Sequence, residues 1–301
     1  MLEYINLNKQ ELEELDPHKT IFLMALSPIE AHGPHLPLGT DVIVAEELQK
    51  RYAQELKKEY PNYTLIRIPS TYMGSDTVPA FGSLSFPAPA LKKVLLSLGK
   101  SLANKGFRYL FLSDNHGGPR HHLAIEIASR KLWKKHGFYL INPFSLVFKK
   151  MVQHDKYFMD KTGLKAGKTG DDEDAHAGTN ETSLMLAIAP DKVSDDYREV
   201  PPSTPPPPSR PILLLSRFLG LFSTQTSKDL KHLANVVGWI NDPNMKSYMG
   251  TPAFATEEAG EAMLKARVDI AMQLFRDAIA GKEVSIDPML WRMKFLHMLP
   301  E

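Results

Sequence analysis

A layered α/β fold built on a parallel sheet covered on both faces is predicted by two features of this chain: short, continuous apolar runs, and helical stretches that alternate with them. The runs are "TIFLMALS" at 20–27, "YTLIRIPS" at 63–70, "YLFLSDN" at 109–115 and "GFYLINP" at 137–143. Between the first two, 41–59 has a helical period, with Val42, Ala45, Leu48, Tyr52 and Leu56 on one side and Asp41 at its start, suited to an N-cap. Further helices are expected at 89–104 and about 120–135. Another is expected over 181–188, with Thr179 or Asn180 as cap, and a last one over about 256–280, where Thr256 caps a first turn containing acidic residues.

The alternation breaks after residue 149. Residues 160–180 are rich in Gly, Lys and Asp, and Asp171 to Asp174 read as a solvated loop. "EVPPSTPPPPSRP" at 199–211 reads as a stiff surface connector. The apolar "ILLLSRFLGLF" at 212–222 is interrupted by Arg217 and too short to span a bilayer, which makes it a buried or interface segment. The expected organisation is one domain over 1–301 with an atypical Pro-rich insertion at about 195–225.

Charge and cysteine content exclude several classes. The 36 Lys and Arg against 35 Asp and Glu leave a net charge of +1, too little to recruit nucleic acid or an anionic membrane over a broad surface. With no cysteine, disulfides, thiolate metal sites and a cysteine nucleophile are absent, so any metal must be held by His and carboxylate. The N-terminal stretch carries acidic residues and lacks the order of a secretory signal, which points to a cytoplasmic protein.

Two strand ends carry chemistry. "SPIEAHGPHLPLGTD" at 27–41 follows the first strand and gathers Glu30, His32, His35 and Asp41; Glu30 and His32, two apart on extended chain, point the same way. "SDNHGGPRHH" at 113–122 places His116 after the third strand, beside glycines that allow close backbone approach, while His121 and His122 read as an exposed first helical turn. In an α/β sheet, ligands sit beyond the carboxyl ends of the strands, where both stretches begin. "DDEDAHAGTNETSLML" at 171–186 adds His176, an imidazole on a Gly-flanked loop suited to general acid and base work, and Glu181 near a helix N-terminus.

"SPIEAHGPHLPLGTD", "DNHGG", "HAGTNETSLM" and "GTPAFATEEAGE" occur in the order seen in the creatininase (creatinine amidohydrolase) family, and the chain resembles that family over roughly 20–190 and 245–280. The family also includes enzymes that open formylated pyrimidines and a peptidase of cofactor maturation. The resemblance implies a three-layer α/β/α fold with a mostly parallel central sheet. It also implies a homo-oligomer (hexamer or trimer) and two divalent ions, zinc, manganese or iron, that activate a metal-bridging water to cleave a non-peptide C–N bond. Position by position, it assigns Glu30 and His116 to one ion, His32 to the other and Asp41 to both, with His176 as the catalytic histidine and Glu181 as the glutamate of the family's "HAGxxET".

The chain departs from creatininase proper, which carries an aromatic residue and then a glutamate ligand after the histidine matching His116; here those positions are Gly117 and Gly118. Glu181 is expected to replace that ligand, and Asp114, at a position usually Asn, is a second candidate for a ligand or a supporting hydrogen bond. Asn115 and Pro119 likewise replace the usual Gly and Asn. "MGSDTVPAFGSLSF" at 73–86 resembles a substrate-contacting family segment but lacks its histidine. The expectation is an amidohydrolase of a small cyclic or linear amide, in a branch other than creatininase proper. The alternatives are a peptidase acting on a modified peptide and a non-catalytic metal-binding protein.

Overall fold

The computed structural model describes residues 1–153, 155–162, 174 and 176–299. Five strands, β1 (Leu2–Glu3), β2 (Thr20–Leu26), β3 (Thr64–Thr71), β4 (Tyr109–Ser113) and β5 (Tyr139–Ile141), form one sheet in the order β1-β3-β2-β4-β5. Every neighbouring pair is parallel. The continuous apolar runs follow from this arrangement. Successive side chains point to opposite faces, and both faces are covered. Ile21 and Leu23 of β2 and Tyr109 and Phe111 of β4 enter one core, whereas Phe22, Met24, Leu110 and Leu112 enter the other.

Ten helices are described: α1 (Lys9–Glu13), α2 (Thr40–Glu59), α3 (Ala88–Ala103), α4 (Pro119–His136), α5 (Phe144–Val152), α6 (Lys156–Thr162), α7 (Thr179–Ile188), α8 (Arg210–Gly220), α9 (Thr224–Ile240) and α10 (Glu257–Ile279). α2, α7 and α10 cover the first core with Leu48, Leu184 and Phe275 among others, and α3 and α4 cover the second with Leu91, Leu95 and Ala128. This is the expected three-layer α/β/α arrangement. α10 is pinned to the sheet where Phe275 stacks on Phe111, ring centroids 4.0 Å apart; truncating either ring would cost about 3–5 kcal/mol. α4 stops at Gly137, whose φ of 59° is left-handed.

The chain leaves β2 toward β3 through α2 on one face, then crosses back to β4 through α3 on the other. The carboxyl ends of β2 and β4 therefore flank the point where the winding reverses, which opens a crevice there.

Several local expectations change. α2 starts one residue before Asp41, with Gly39 at the cap position, so Asp41 lies within the first turn and its carboxylate is free for another partner. α7 starts at Thr179, so neither Thr179 nor Asn180 caps it; the Asp174 carboxylate accepts from the Asn180 amide at 2.6 Å instead. Asp174 is accordingly buried rather than solvated, while Asp171, Asp172 and Glu173 lie outside the described residues. Thr256 caps α10 as expected, accepting from the Ala259 amide. "ILLLSRFLGLF" is helical through Gly220, yet Leu214, Leu215 and Phe218 are exposed. It is not a buried segment within this chain, because α8 packs mainly on α9 and leaves its other side uncovered. Among the described residues, no helix is long and apolar enough to cross a membrane.

Candidate metal centre

Beyond β2 the chain turns through "SPIEAHGPH", and Glu30 and His32 come to lie with less than 2 % of their surface exposed. Buried charge on this scale is costly unless paired or metal-bound. Asp41 arrives from the first turn of α2, His116 from the end of β4, and Glu181 from the first turn of α7. Their donor atoms fall into two groups that share Asp41: Glu30, Asp41 and His116, then His32, Asp41 and Glu181. His116 Nδ1 lies 3.1 Å from Glu30 Oε2 and 3.5 Å from Asp41 Oδ2, and His32 Nε2 lies 3.5 Å from Asp41 Oδ1 and 3.6 Å from Glu181 Oε2. Donors about 2.1 Å from a tetrahedral ion stand about 3.4 Å apart, so the spacings suit first-row ions.

The hydrogen bonds behind these groups orient them. His116 Nε2 donates to the Ser75 carbonyl at 2.8 Å, His32 Nδ1 to the Glu30 carbonyl at 2.9 Å and His176 Nε2 to the Ala31 carbonyl at 2.8 Å. A carbonyl only accepts, so each ring spends its N–H there and turns its other nitrogen toward the cluster, the arrangement that ligating histidines use. Glu30 Oε2, His32 Nε2 and Asp41 Oδ2 are buried with no hydrogen-bond partner. Orphaned atoms of this kind call for an unseen partner, and a cation set among them satisfies three acceptors that converge. The residues present therefore fit a metal pair.

Electrostatics agree. Burial alone would push His32 down, but the Asp41 and Glu181 carboxylates raise it to about 10. His116 is likewise lifted well above the usual histidine range by Glu30 and Asp41 against the effect of burial. Burial would raise Asp41 and Glu30, yet the facing imidazoles hold both below the ordinary carboxylate values. Without metal, protons on the two rings balance the carboxylates.

His176 closes the crevice. Its ring lies 4.3 Å from that of His32, and its Nδ1 lies 3.9 Å from Glu181 Oε2. It also forms a donor group with Glu30 and His32. Glu181 Oε2 is held by the Ala177 amide at 2.6 Å. His35 stays outside the cluster, its Nε2 2.9 Å from Thr182 Oγ1. Asp114 takes hydrogen bonds from Ser27, the His116 amide, His121 and Asn142, and so braces the β4 end rather than joining either donor group. His121 and His122 are buried, not exposed: the first turn of α4 packs under the β4 end, where His121 meets Asp114 and His122 pairs with Ser145.

Gly118 has a steric reason to be glycine. A Cβ there would overlap the Ser75 carbonyl oxygen and His116 Nε2, the two atoms that orient the ligand ring. The segment 73–86 thus contributes backbone: Ser75 orients His116, and the Val78 amide donates to Glu30 Oε1.

Two residues were given no role by the sequence. Asn115 Nδ2 donates to Asp41 Oδ1 and to Glu181 Oε1, both at 2.8 Å. Arg267 of α10, buried and pushed down to about 10 by that burial, donates to Asn115 Oδ1 at 2.5 Å. Arg267 falls on the stripe of Met263, Leu264, Val268 and Ala271, and a cation on an apolar stripe is the signal that marks it.

The cluster opens into a cavity of about 540 Å³ walled by α5, α9 and the 73–86 loop. The chain spans 61% and 60% of two curated relatives, both named mycofactocin precursor peptide peptidase. The first, from Mycolicibacterium smegmatis, is 28% identical over 177 residues, 58% of this chain; the second, from Mycobacterium ulcerans, is 32% identical over 179 residues, also 58%. Among solved structures, one titled "Creatininase Mn" superposes with a TM-score of 0.60 over 92% of this chain and 98% of its own, at 19% identity, a likeness of fold. The model of the family described as "Creatininase: Creatinine amidohydrolase" matches residues 6–275, and this chain belongs to that family.

Proposed function

We propose that the protein is a divalent-metal-dependent hydrolase that cleaves an amide C–N bond. The observation that carries this reading is the pair of three-donor groups sharing Asp41 at the end of a 540 Å³ cavity. Glu30, His116 and Asp41 would hold one ion, and His32, Asp41 and Glu181 the other, with Glu181 replacing the ligand that glycine displaces at position 118. Two such ions, zinc, manganese or iron, supply Lewis-acid polarisation of the carbonyl and acidify water.

The chain's own side chains do the rest. His176 presents Nδ1 to the cavity while its Nε2 proton stays on the Ala31 carbonyl, so Nδ1 can take a proton and return it to the leaving nitrogen. Asn115, anchored by Arg267, fixes one oxygen of Asp41 and one of Glu181. The exposed apolar residues of α8 support a homo-oligomer as part of the reading.

Between a small cyclic or linear amide and a peptide, the cavity volume and the names of the relatives favour the peptide. The test is hydrolysis of creatinine, formamides and short peptides by metal-loaded and chelated protein, followed by mass spectrometry. Metal-dependent cleavage of peptides is expected. Metal-dependent cleavage of small amides alone would shift the reading to the non-peptide class, and bound metal without any hydrolysis would overturn it in favour of a binding protein.

A further inference from the structure

One face of α9 lines the cavity: Lys228, Lys231, His232, Asn235, Val236 and Trp239, spaced three and one along a helix. The face is graded. Trp239 lies at the metal end, its ring 5.6 Å from that of His176. Lys231 and Lys228 lie eight and eleven residues away, roughly 12 and 16 Å at the helical rise. Opposite stands α5, which contributes Phe148, Met151 and Val152, again one helical face. Between the two helices the cavity is apolar along α5 and at Val236, carries the polar His232 and Asn235 of α9, and is basic at the end farther from Trp239.

Neither lysine has an ion-pair or hydrogen-bond partner among the described residues. The acids lining the cavity outside the cluster are engaged: Asp76 takes the Arg120 guanidinium at 2.5 Å, and Asp174 takes the Asn180 amide at 2.6 Å. Burial pushes His232 down to about 4, so it adds no charge. Among the described residues the basic end therefore has no anion beside it, and the roughly 12 to 16 Å of helix from Trp239 to the two lysines equals about four to five residues of extended peptide at about 3.3 Å each.

We infer that the substrate is an extended, apolar peptide bearing a carboxylate four to five residues from the scissile amide, which Lys228 and Lys231 recognise. This rests on the hydrolase reading above and adds what selects the substrate. α9, which carries both lysines, lies between the two stretches that resemble the family, so this part of the selectivity belongs to this chain.

The experiment uses metal-loaded, full-length protein and three fluorescent forms of one apolar hexapeptide: acetylated and amidated, with a free carboxyl terminus, and with an N-terminal succinyl group. Binding is read by anisotropy and cleavage by mass spectrometry. At least one charged form is expected to bind about tenfold more tightly than the neutral form, the size expected of two solvated ion pairs, with the difference shrinking as salt is raised. Lys228→Glu with Lys231→Glu should erase that difference, and Lys228→Gln with Lys231→Gln should reduce it. Equal binding of all three forms, no binding of any, or a preference that survives the charge reversal overturns the inference. A charge preference without cleavage supports the channel and removes the hydrolase reading; cleavage without a charge preference does the reverse.

Discussion

Arg267 reaches across 152 positions of chain to hold the side-chain carbonyl of Asn115 at 2.5 Å, and so turns the Asn115 amide toward both Asp41 and Glu181. Asn115→Ala should free one oxygen on each carboxylate and lower metal affinity about tenfold to a hundredfold, more at the group containing Glu181. Arg267→Met should do the same and cost about 1–3 kcal/mol for the unpaired Asn115 carbonyl. Stepwise metal titration with a competing chelator separates the two affinities.

Asp41 is common to both donor groups, so Asp41→Asn should remove both ions together rather than one. Elemental analysis of the variant should read near zero metal per chain. Stoichiometric metal in a folded Asp41→Asn protein would remove the shared role.

The two buried rings set a pH signature for chelated protein. His32 is raised to about 10 from an ordinary 6.5, so its contribution to stability is complete below 6.5 and fades as pH rises toward 10. Glu30 and Asp41 are shifted down, so theirs is complete above about 4.5 and fades as pH falls. Thermal melting of chelated protein should therefore peak between these limits. Because ligation needs neutral imidazole, metal affinity should instead climb from pH 6.5 toward 10 with proton release, which calorimetry in buffers of different ionisation enthalpy would register.

Gly118→Glu, the substitution that copies creatininase proper, should fail here. Its Cβ would displace the Ser75 carbonyl from His116, at a cost of about 1–3 kcal/mol for the overpacking. The expected result is a lower melting temperature and weaker metal binding; unchanged stability with an added ligand would show that the 73–86 loop yields.

His176→Gln keeps a hydrogen-bonding side chain but removes the proton-accepting nitrogen. Hydrolysis should fall by about 10² to 10⁴ while metal content holds. A parallel loss of metal would mean that His176 ligates, as its donor group with Glu30 and His32 permits.

The strand ends were legible because their signals are local. Glu30, His32 and Asp41 lie within one turn-rich stretch, and His116 follows its strand directly, so residue type and spacing indicated them before any fold was known. Arg267 and Trp239 were not, since each reaches the cavity by the docking of a helix far along the chain. His121 and His122 misled for a related reason: a polar pair opening a helix looks solvated until α5 is seen to cover it, Phe148 lying 5.5 Å from the His122 ring. The proline-rich connector likewise obscured α8 and α9, because a segment with no helical signal stands before a helix whose apolar face is exposed.

In the proposed reading one cradle holds two ions, the second completed by Glu181. Elemental analysis of untagged protein, beside His32→Ala and Glu181→Gln, checks this. Near two ions per chain are expected in the parent and about one in each variant. One ion or none in the parent after zinc and manganese have been offered, or two ions retained in Glu181→Gln, would contradict it.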